Sequence, residues 1–599
     1  MTASPPPSWL LTRPPVPDSK TFEIALTLGG TVSAGAYTAG AIDFLIQALD
    51  CWEKAAAEGD PMAPTHNAVI KVVTGTSGGA VIAATMARAL AYDFPPVDAA
   101  TIANDPPKAI TNPFYRVWNK ILKLDDFLAT TDIVDGKFLS ILNPSPINEG
   151  AVLVSTLGAP PALMPWRARR FIASPLQVIL TLTNVSGIPF KTSFGALSQT
   201  YVNHADYAKF AVAFPKMSIA DPTVHVQWSV LPDPDQFALS AMPIPAVPQP
   251  IGWLDFAWFA VASAAFPLGF PARPLKRPAD HYKYRVVSIS QPGGGTDYIT
   301  LTPDWGALKS NLDQDGVTYK FLSVDGGATD NEPIELARTA LCGYQQSNPR
   351  SGVLANRAVV LIDPFAGEAD LGPADNSKGL FSVLGGVLDS LTQQTRYETA
   401  DLLLAADPNV FSRFMLTAQR DGAAAFGGPA LASAGLDAFI GFACEDFAAH
   451  DYILGRKNCQ DFLKNVFVLD KANPIMQLGW STAQIAGHRL TEAQFLPIIP
   501  LMREAAIPET LLPWPKGALD PEDYRNSIAA RFAAIVEYEG KQASTFLKFA
   551  TWLGANLGEN GVASYVINRM NTYLADKSVD LAAQPAPPSA PALQNGNGG

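Results

Sequence analysis

Some twenty residues into the chain, a continuous apolar run, FEIALTL (Phe22 to Leu28), is followed by a glycine turn and a helical-period stretch from about Ala34 to Leu49. Short unbroken apolar runs of this kind predict strands buried on both faces, and a 3.6-residue period predicts a helix packed on them. The pattern returns at once: VIKVVTG (strand over Val69 to Thr74) turns tightly into GAVIAATMARALAY, a helix of small and apolar residues. Two consecutive strand–turn–helix units predict an α/β fold around a parallel sheet. LQVILTLTNV (Leu176 to Val185), FLSVDGG (Phe321 to Gly327) and AVVLIDP (Ala358 to Pro364) add strand candidates, so this unit is read over residues 21–365. Two insertions interrupt it: a Pro-punctuated stretch near 193–250, and 278–320, in which YRVVSISQPGGGTDYITLTP alternates and turns like a hairpin. From about Ser377 the period is helical, and residues 366–580 are expected to be mostly helical. The Pro-rich residues 1–20 and the tail 581–599 hold too little apolar material to offset chain entropy, and disorder is expected in both.

Composition narrows the function. Against 43 Lys plus Arg stand 55 Asp plus Glu, a formal net charge of −12, which argues against a nucleic-acid partner. At 48% hydrophobic and 16% charged residues, the 599-residue chain can bury large cores. Cys51, Cys342, Cys444 and Cys459 are widely spaced with no CxxC pair, so neither a zinc cluster nor a disulfide framework is indicated. The start, MTASPPPSWLLTRPP, lacks the basic and apolar regions of a secretory signal. The longest near-apolar stretch, Trp253 to Phe270, contains Asp255 and is broken by Pro267, which argues against a bilayer-spanning helix. A cytoplasmic protein without a membrane-spanning helix is expected, with peripheral membrane contact left open.

The sharpest candidate chemistry is Gly75-Thr76-Ser77-Gly78-Gly79, a GxSxG set between a strand and a helix. Such an elbow exposes the serine hydroxyl at a helix N-terminus, where the N–H of Gly78 can face an oxyanion. A glycine-rich turn that merely packs helix on strand is the plain alternative. None of the six histidines (His66, His204, His225, His281, His450, His488) sits in a clear strand-end loop that would suit a triad. Val324-Asp325-Gly326-Gly327 instead places an acid at the end of an apolar run; Asp325 can serve as a base, or equally as an Asx-turn or cap residue. The loop Gly29-Gly30-Thr31-Val32-Ser33-Ala34-Gly35 offers backbone N–H groups to an anion, and its spacing fits neither GxxxxGK[ST] nor GxGxxG.

Taken together, the glycine loop with GAYTAG (Gly35 to Gly40), then GTSGG, ASAAFPLGFP (Ala262 to Pro271) and DGGATDNEP (Asp325 to Pro333) resemble the patatin-like phospholipase family in content and order, over about Thr21 to Asp363. The resemblance implies a three-layer α/β/α hydrolase with a mostly parallel central sheet and a Ser-Asp dyad that needs no histidine, metal or cofactor. Ser77 would be the nucleophile and Asp325 the base. The oxyanion would meet N–H groups drawn from Gly29, Gly30, Thr31, Val32 and Gly78, with Gly75, Gly79, Gly326 and Gly327 shaping the turns. The substrate implied is a lipid or other acyl ester. One departure stands out: where the family's loop reads GGGxRG, this chain has Gly30 to Gly35 without two of the glycines and the arginine, and Thr31 and Val32 resist positive φ. That departure motivates a second reading, a catalytically weakened lipid- or protein-binding module.

For membrane contact two segments qualify: PFYRVWNKILKL (Pro113 to Leu124), as an interfacial amphipathic helix or an ordinary core helix, and Trp166-Arg167-Ala168-Arg169-Arg170, as a headgroup contact or a solvated turn. Trp253, Phe256, Trp258 and Phe259 are candidates to line an acyl tunnel or simply to pack beneath the elbow.

Overall fold

The computed structural model describes residues 19–133, 139–158, 164–194, 197–214, 234–241, 251–290, 295–344, 348–365, 395, 399–420, 427–539 and 561–577. Its centre is β1 (Thr21–Leu28), buried at all eight positions because neighbours cover both faces. Parallel to it lie β2 (Asn67–Gly75) on one side and β10 (Arg357–Ile362) on the other. β3 (Ile172–Phe194) continues the parallel set beyond β2, and β4 (Leu197–Ala213) pairs antiparallel along β3, with β5 (Gln236–Ser240) parallel outside it. The order is β11-β10-β1-β2-β3-β4-β5, a mostly parallel core with an antiparallel flank.

Helices cover both faces. The apolar sequence GAYTAGAIDFLIQAL forms α1 (Gly35–Ala57), which with α2 (Gly78–Ala89) and α4 (Trp253–Ser263) covers one face, and α3 (Ser145–Thr156) packs against α2 and α4. On the other face Ile334, Ala337 and Leu341 of α5 (Ile334–Cys342) meet Ala25, Val72, Ile179 and Val359. Alternate side chains of β1 enter the two cores, Ile24 and Leu26 one way and Ala25 the other, as the two-residue period of a strand requires.

Three readings change. The run Val32–Ala57, rather than Trp253 to Phe270, is by length and composition apolar enough to cross a membrane, but 89% of its most apolar window is buried within the fold. The stretch read as an insertion near 193–250 contributes β4 and β5 to the main sheet; its residues 215–233 and 242–250 lie outside the described part. Nor does the sheet stop at residue 365: β11 (Arg413–Leu416) pairs parallel with β10, covering an edge that would otherwise stand unpaired. The hairpin read in 284–303 is present as β7 (Val286–Ser290) and β8 (Thr296–Thr300). β6 (Arg273–Pro278) pairs with β9 (Thr318–Val324), which joins the sheet through β3.

After β10 the described chain is largely helical, and its longest helix, α6 (Glu445–Asn465), lies against α1. Arg456 of α6, fully buried, donates to Asp43 at 2.6 Å and to Glu509 at 2.5 Å. Helical readings over 380–394 and 540–553, and the disorder expected at 1–18 and 581–599, lie outside the described residues.

Candidate active site

The sheet register brings the sequence motifs together. Gly75, the last residue of β2, pairs with Leu180 of β3, and three residues further along β3 Thr183 pairs with Val324, the last residue of β9. Because β9 runs antiparallel to β3, it arrives head-on at the end of β2. Ser77 and Asp325 follow those two strand ends, and the Ser77 hydroxyl donates to Asp325 Oδ2 at 2.7 Å.

Ser77 sits at φ 53°, ψ −123°, a left-handed conformation costly for any residue with a Cβ and imposed here by the sharp exit from strand to helix. Its own N–H is held by Ser263 Oγ at 3.0 Å, at the end of α4. Asp325 is buried, its Oδ1 accepting from the N–H of Gly327 at 2.7 Å and its carbonyl from Thr183 Oγ1 at 2.7 Å. Its N–H donates to Ala265 at 2.9 Å. Burial raises the Asp325 carboxyl from 3.8 to about 6, with the Ser77 and Gly327 hydrogen bonds pulling weakly the other way. That places the carboxyl near the range in which a base works at neutral pH.

The glycine loop lies beside the elbow. Gly78 has to lack a side chain, since a Cβ would strike Thr31 Oγ1 and crowd the Trp118 ring. Asn331 Oδ1 occupies the space where side chains on Gly30 and Gly327 would be, so the loop and the Asp325 turn close on one amide. Gly79 abuts the carbonyls of Leu28 and Gly29, Gly75 abuts Gly79, and Gly326 rests on Thr181. Two expectations are corrected. The Gly29 N–H is committed to the Ile362 carbonyl at 3.2 Å, as a continuation of the β1–β10 ladder, and is lost as an anion donor. Val32, expected to resist it, takes φ +46°. The N–H groups of Gly30, Thr31, Val32 and Gly78 have no acceptor among the described residues. Thr31 Oγ1, buried, likewise has none.

Ser77 opens onto an apolar cavity that is open to solvent on one side. Of its lining residues only Ser77 carries a hydroxyl and none carries a charge. Of the two alternatives for the α4 aromatics, lining a tunnel is not met: Phe256 and Phe259 pack on Phe210 of β4, and the small side chains Ala257, Ala260 and Val261 meet the cavity. The segment Pro113 to Leu124 is an ordinary core element, with Phe114, Tyr115, Trp118 and Ile121 buried and Lys120 and Lys123 paired to Glu445. Arg169 and Arg167 are tied to Asp50, and Arg167 also to Asp93.

The described histidines are bonded elsewhere: His66 to the Ile498 carbonyl, His204 to Asn184, His281 to Arg277, His450 to Asp451 and His488 to Met62. His225 lies outside the described residues. Among those residues no group of three or more His, Cys, Asp or Glu side chains is placed to hold a metal. Ser263, Thr183 and Asn331 were missed from sequence; the one available signal was a polar residue inside a motif or apolar run.

A family model for patatin-like phospholipase matches residues 26–338. The uncharacterized protein y4iI of Sinorhizobium fredii is 32% identical over 588 residues, covering 91% of this chain and 80% of that protein. The solved structure of VipD from Legionella pneumophila aligns over 94% of this chain and 88% of its own, at 10% identity and a TM-score of 0.21, a likeness too slight to argue from. With four motifs in the family's order, a strand-end elbow of the family's kind and a match across half its length, the chain belongs to the patatin-like phospholipase family.

Proposed function

We propose that the chain is a lipid acyl hydrolase, cleaving carboxylic esters of glycerolipids or similar substrates through Ser77 and Asp325. The observation that carries this reading is the 2.7 Å hydrogen bond from Ser77 Oγ to a buried carboxylate, at the mouth of an apolar cavity. Asp325 takes the hydroxyl proton as Ser77 Oγ bonds to the ester carbonyl carbon. The oxyanion is met by N–H groups of Gly78 and of Gly30, Thr31 or Val32, with the Thr31 hydroxyl as a further donor. As the ester C–O bond breaks, the proton passes from Asp325 to the departing alcohol, leaving an acyl-serine. Water then gives a proton to Asp325 as its oxygen bonds to the acyl carbon; the acyl–Oγ bond breaks, the proton returns from Asp325 to Ser77 Oγ, and the fatty acid leaves.

Lipid would enter over a rim that neither sequence candidate supplied. Leu139, Ile141, Phe266 and Leu268 are all exposed, and their two segments are joined by Ile141 N–H to Leu268 O (2.9 Å) and Leu142 N–H to Gly269 O (3.0 Å). Phe266 also lines the cavity, so rim and pocket are continuous.

The test is labelling by a fluorophosphonate probe together with hydrolysis of p-nitrophenyl esters. Ser77→Ala is expected to abolish labelling and lower turnover by at least about 10⁴-fold. A folded wild-type protein that neither labels nor hydrolyses any ester, with membranes present or absent, would overturn the reading. That result would favour the weakened binding module, for which the strained Val32 in a glycine-poor loop is the supporting observation.

A further inference from the structure

The cavity has a wall that the family match does not include. Phe439 and Phe442, a hundred residues beyond the matched stretch, line it together with Ser77. They stand in a file of rings: Phe266 to Phe439 at 6.3 Å between centroids, Phe439 to Phe442 at 5.9 Å, Phe442 to Phe127 at 5.2 Å and Phe127 to Phe270 at 5.3 Å. Phe266 is 38% exposed and Phe439 half-buried, whereas Phe442, Phe127 and Phe270 are buried. The file therefore runs from the open side of the cavity inward. The small side chains of α4 and Ala84 of α2 line the same cavity.

The segment bearing these two rings is held hard. The N–H groups of Ala432 and Ser433 donate to the buried Asp451 carboxylate at 2.8 and 2.9 Å. Tyr573 donates to the carbonyls of Leu431 and Ala432. Leu436, Asp437 and Ala438 make a left-handed turn, all with φ above +50° and none of them glycine, which aims Phe439 at the cavity. Ser33, in the glycine loop itself, donates to the Ala438 carbonyl.

We propose that Phe439 and Phe442 are specificity-determining residues, setting how long an acyl chain the pocket accepts. This rests on the reading of the cavity as an acyl site. The file follows the cavity from its open side inward, so taking a ring away lengthens the usable space along it, and a larger ring shortens it.

The experiment measures kcat/KM of the full-length protein on p-nitrophenyl esters from short to long chains, for wild type, Phe439→Ala, Phe439→Trp and Phe442→Ala, with Phe439→Leu and Phe442→Leu as milder variants should an alanine fail to fold. In parallel, displacement of a fluorescent fatty acid by unlabelled fatty acids of graded length is measured on the Ser77→Ala background, which reads the cavity without turnover. The expected result is a long-to-short ratio that rises on the order of tenfold in the alanine variants and falls in Phe439→Trp, in both measurements. Binding that shifts in a chain without turnover would keep this proposal and sink the hydrolase reading. Profiles superimposable on wild type in folded variants, or no fatty-acid binding at all, would sink this one.

Discussion

Asp325 is pulled two ways by its burial. A carboxyl raised from 3.8 to about 6 binds its proton more tightly in the folded chain than in the unfolded one. Its contribution to stability is therefore complete below about pH 4 and is lost as pH rises through about 6; at pH 7 the ionised group costs up to about 3 kcal/mol. Only the ionised form can take the Ser77 proton, so kcat/KM is expected to climb through about pH 6 and level off above it, and a profile flat from pH 5 to 8 would contradict Asp325 as base. Asp325→Asn should then do two opposite things at pH 7: lose turnover, and raise resistance to urea. Thr31→Val removes a buried hydroxyl beside Gly78 while keeping its shape, and is expected to lower kcat by ~10²-fold with KM little changed if that hydroxyl meets the oxyanion. Ser77 and Asp325 were legible because each follows an apolar run and precedes a turn. Asn331, which fits between Gly30 and Gly327, was not, since its partner loop lies three hundred residues away and only the folded register joins them.

Helix α1 meets α6 backbone to backbone. A Cβ on Gly40 would run into the Tyr452 carbonyl, and one on Gly455 into the Tyr37 carbonyl, a reciprocal crossing that only glycine permits on both sides. Gly455→Ala gains up to about 1 kcal/mol in helix propensity but must push the helices apart, at about 1–3 kcal/mol. A net loss of stability is expected, read as a lower urea midpoint; an unchanged or higher midpoint would mean the crossing has slack. The left-handed turn Leu436–Ala438 carries a cost of the same kind, about 1–2 kcal/mol per residue, met by the hydrogen bonds around it. Elements with one strong period, such as β1, β2, α1 and α2, could be read from sequence. β4 could not, because its sequence LSQTYVNHADYAKFAVA is polar through its first half and gains its place only by pairing with β3. Nor could the turn at 436–438, whose conformation no glycine announces.

At the scale of the molecule, the catalytic candidates come from the family-matched residues 26–338, and much of what holds the surrounding walls comes from beyond them. Arg531 shows this for the rim: buried, it donates to Asp132 and to the carbonyls of Ala129, Ser140 and Ile141, fixing the loop that presents Leu139 and Ile141. Replacing Ile141 and Leu268 by Ser and Asn is expected to weaken co-sedimentation with phospholipid vesicles on the order of tenfold, each exposed side chain contributing about 1 kcal/mol of apolar contact. Equal binding by the double variant would remove the rim from lipid recognition. The fold class was legible because both halves of the parallel core announce themselves; the pocket was not, because its walls are drawn from α4, the elbow and residues 439 and 442, which no local pattern links. The pairing of β11 on β10 has a practical corollary for anyone trimming the chain just after β10. A fragment ending near Ile362 would present an uncovered strand edge, apolar but for Arg357, and the bare face of α1, and should be recovered as insoluble aggregate, so that silence in an esterase assay of such a fragment would say nothing about the full chain.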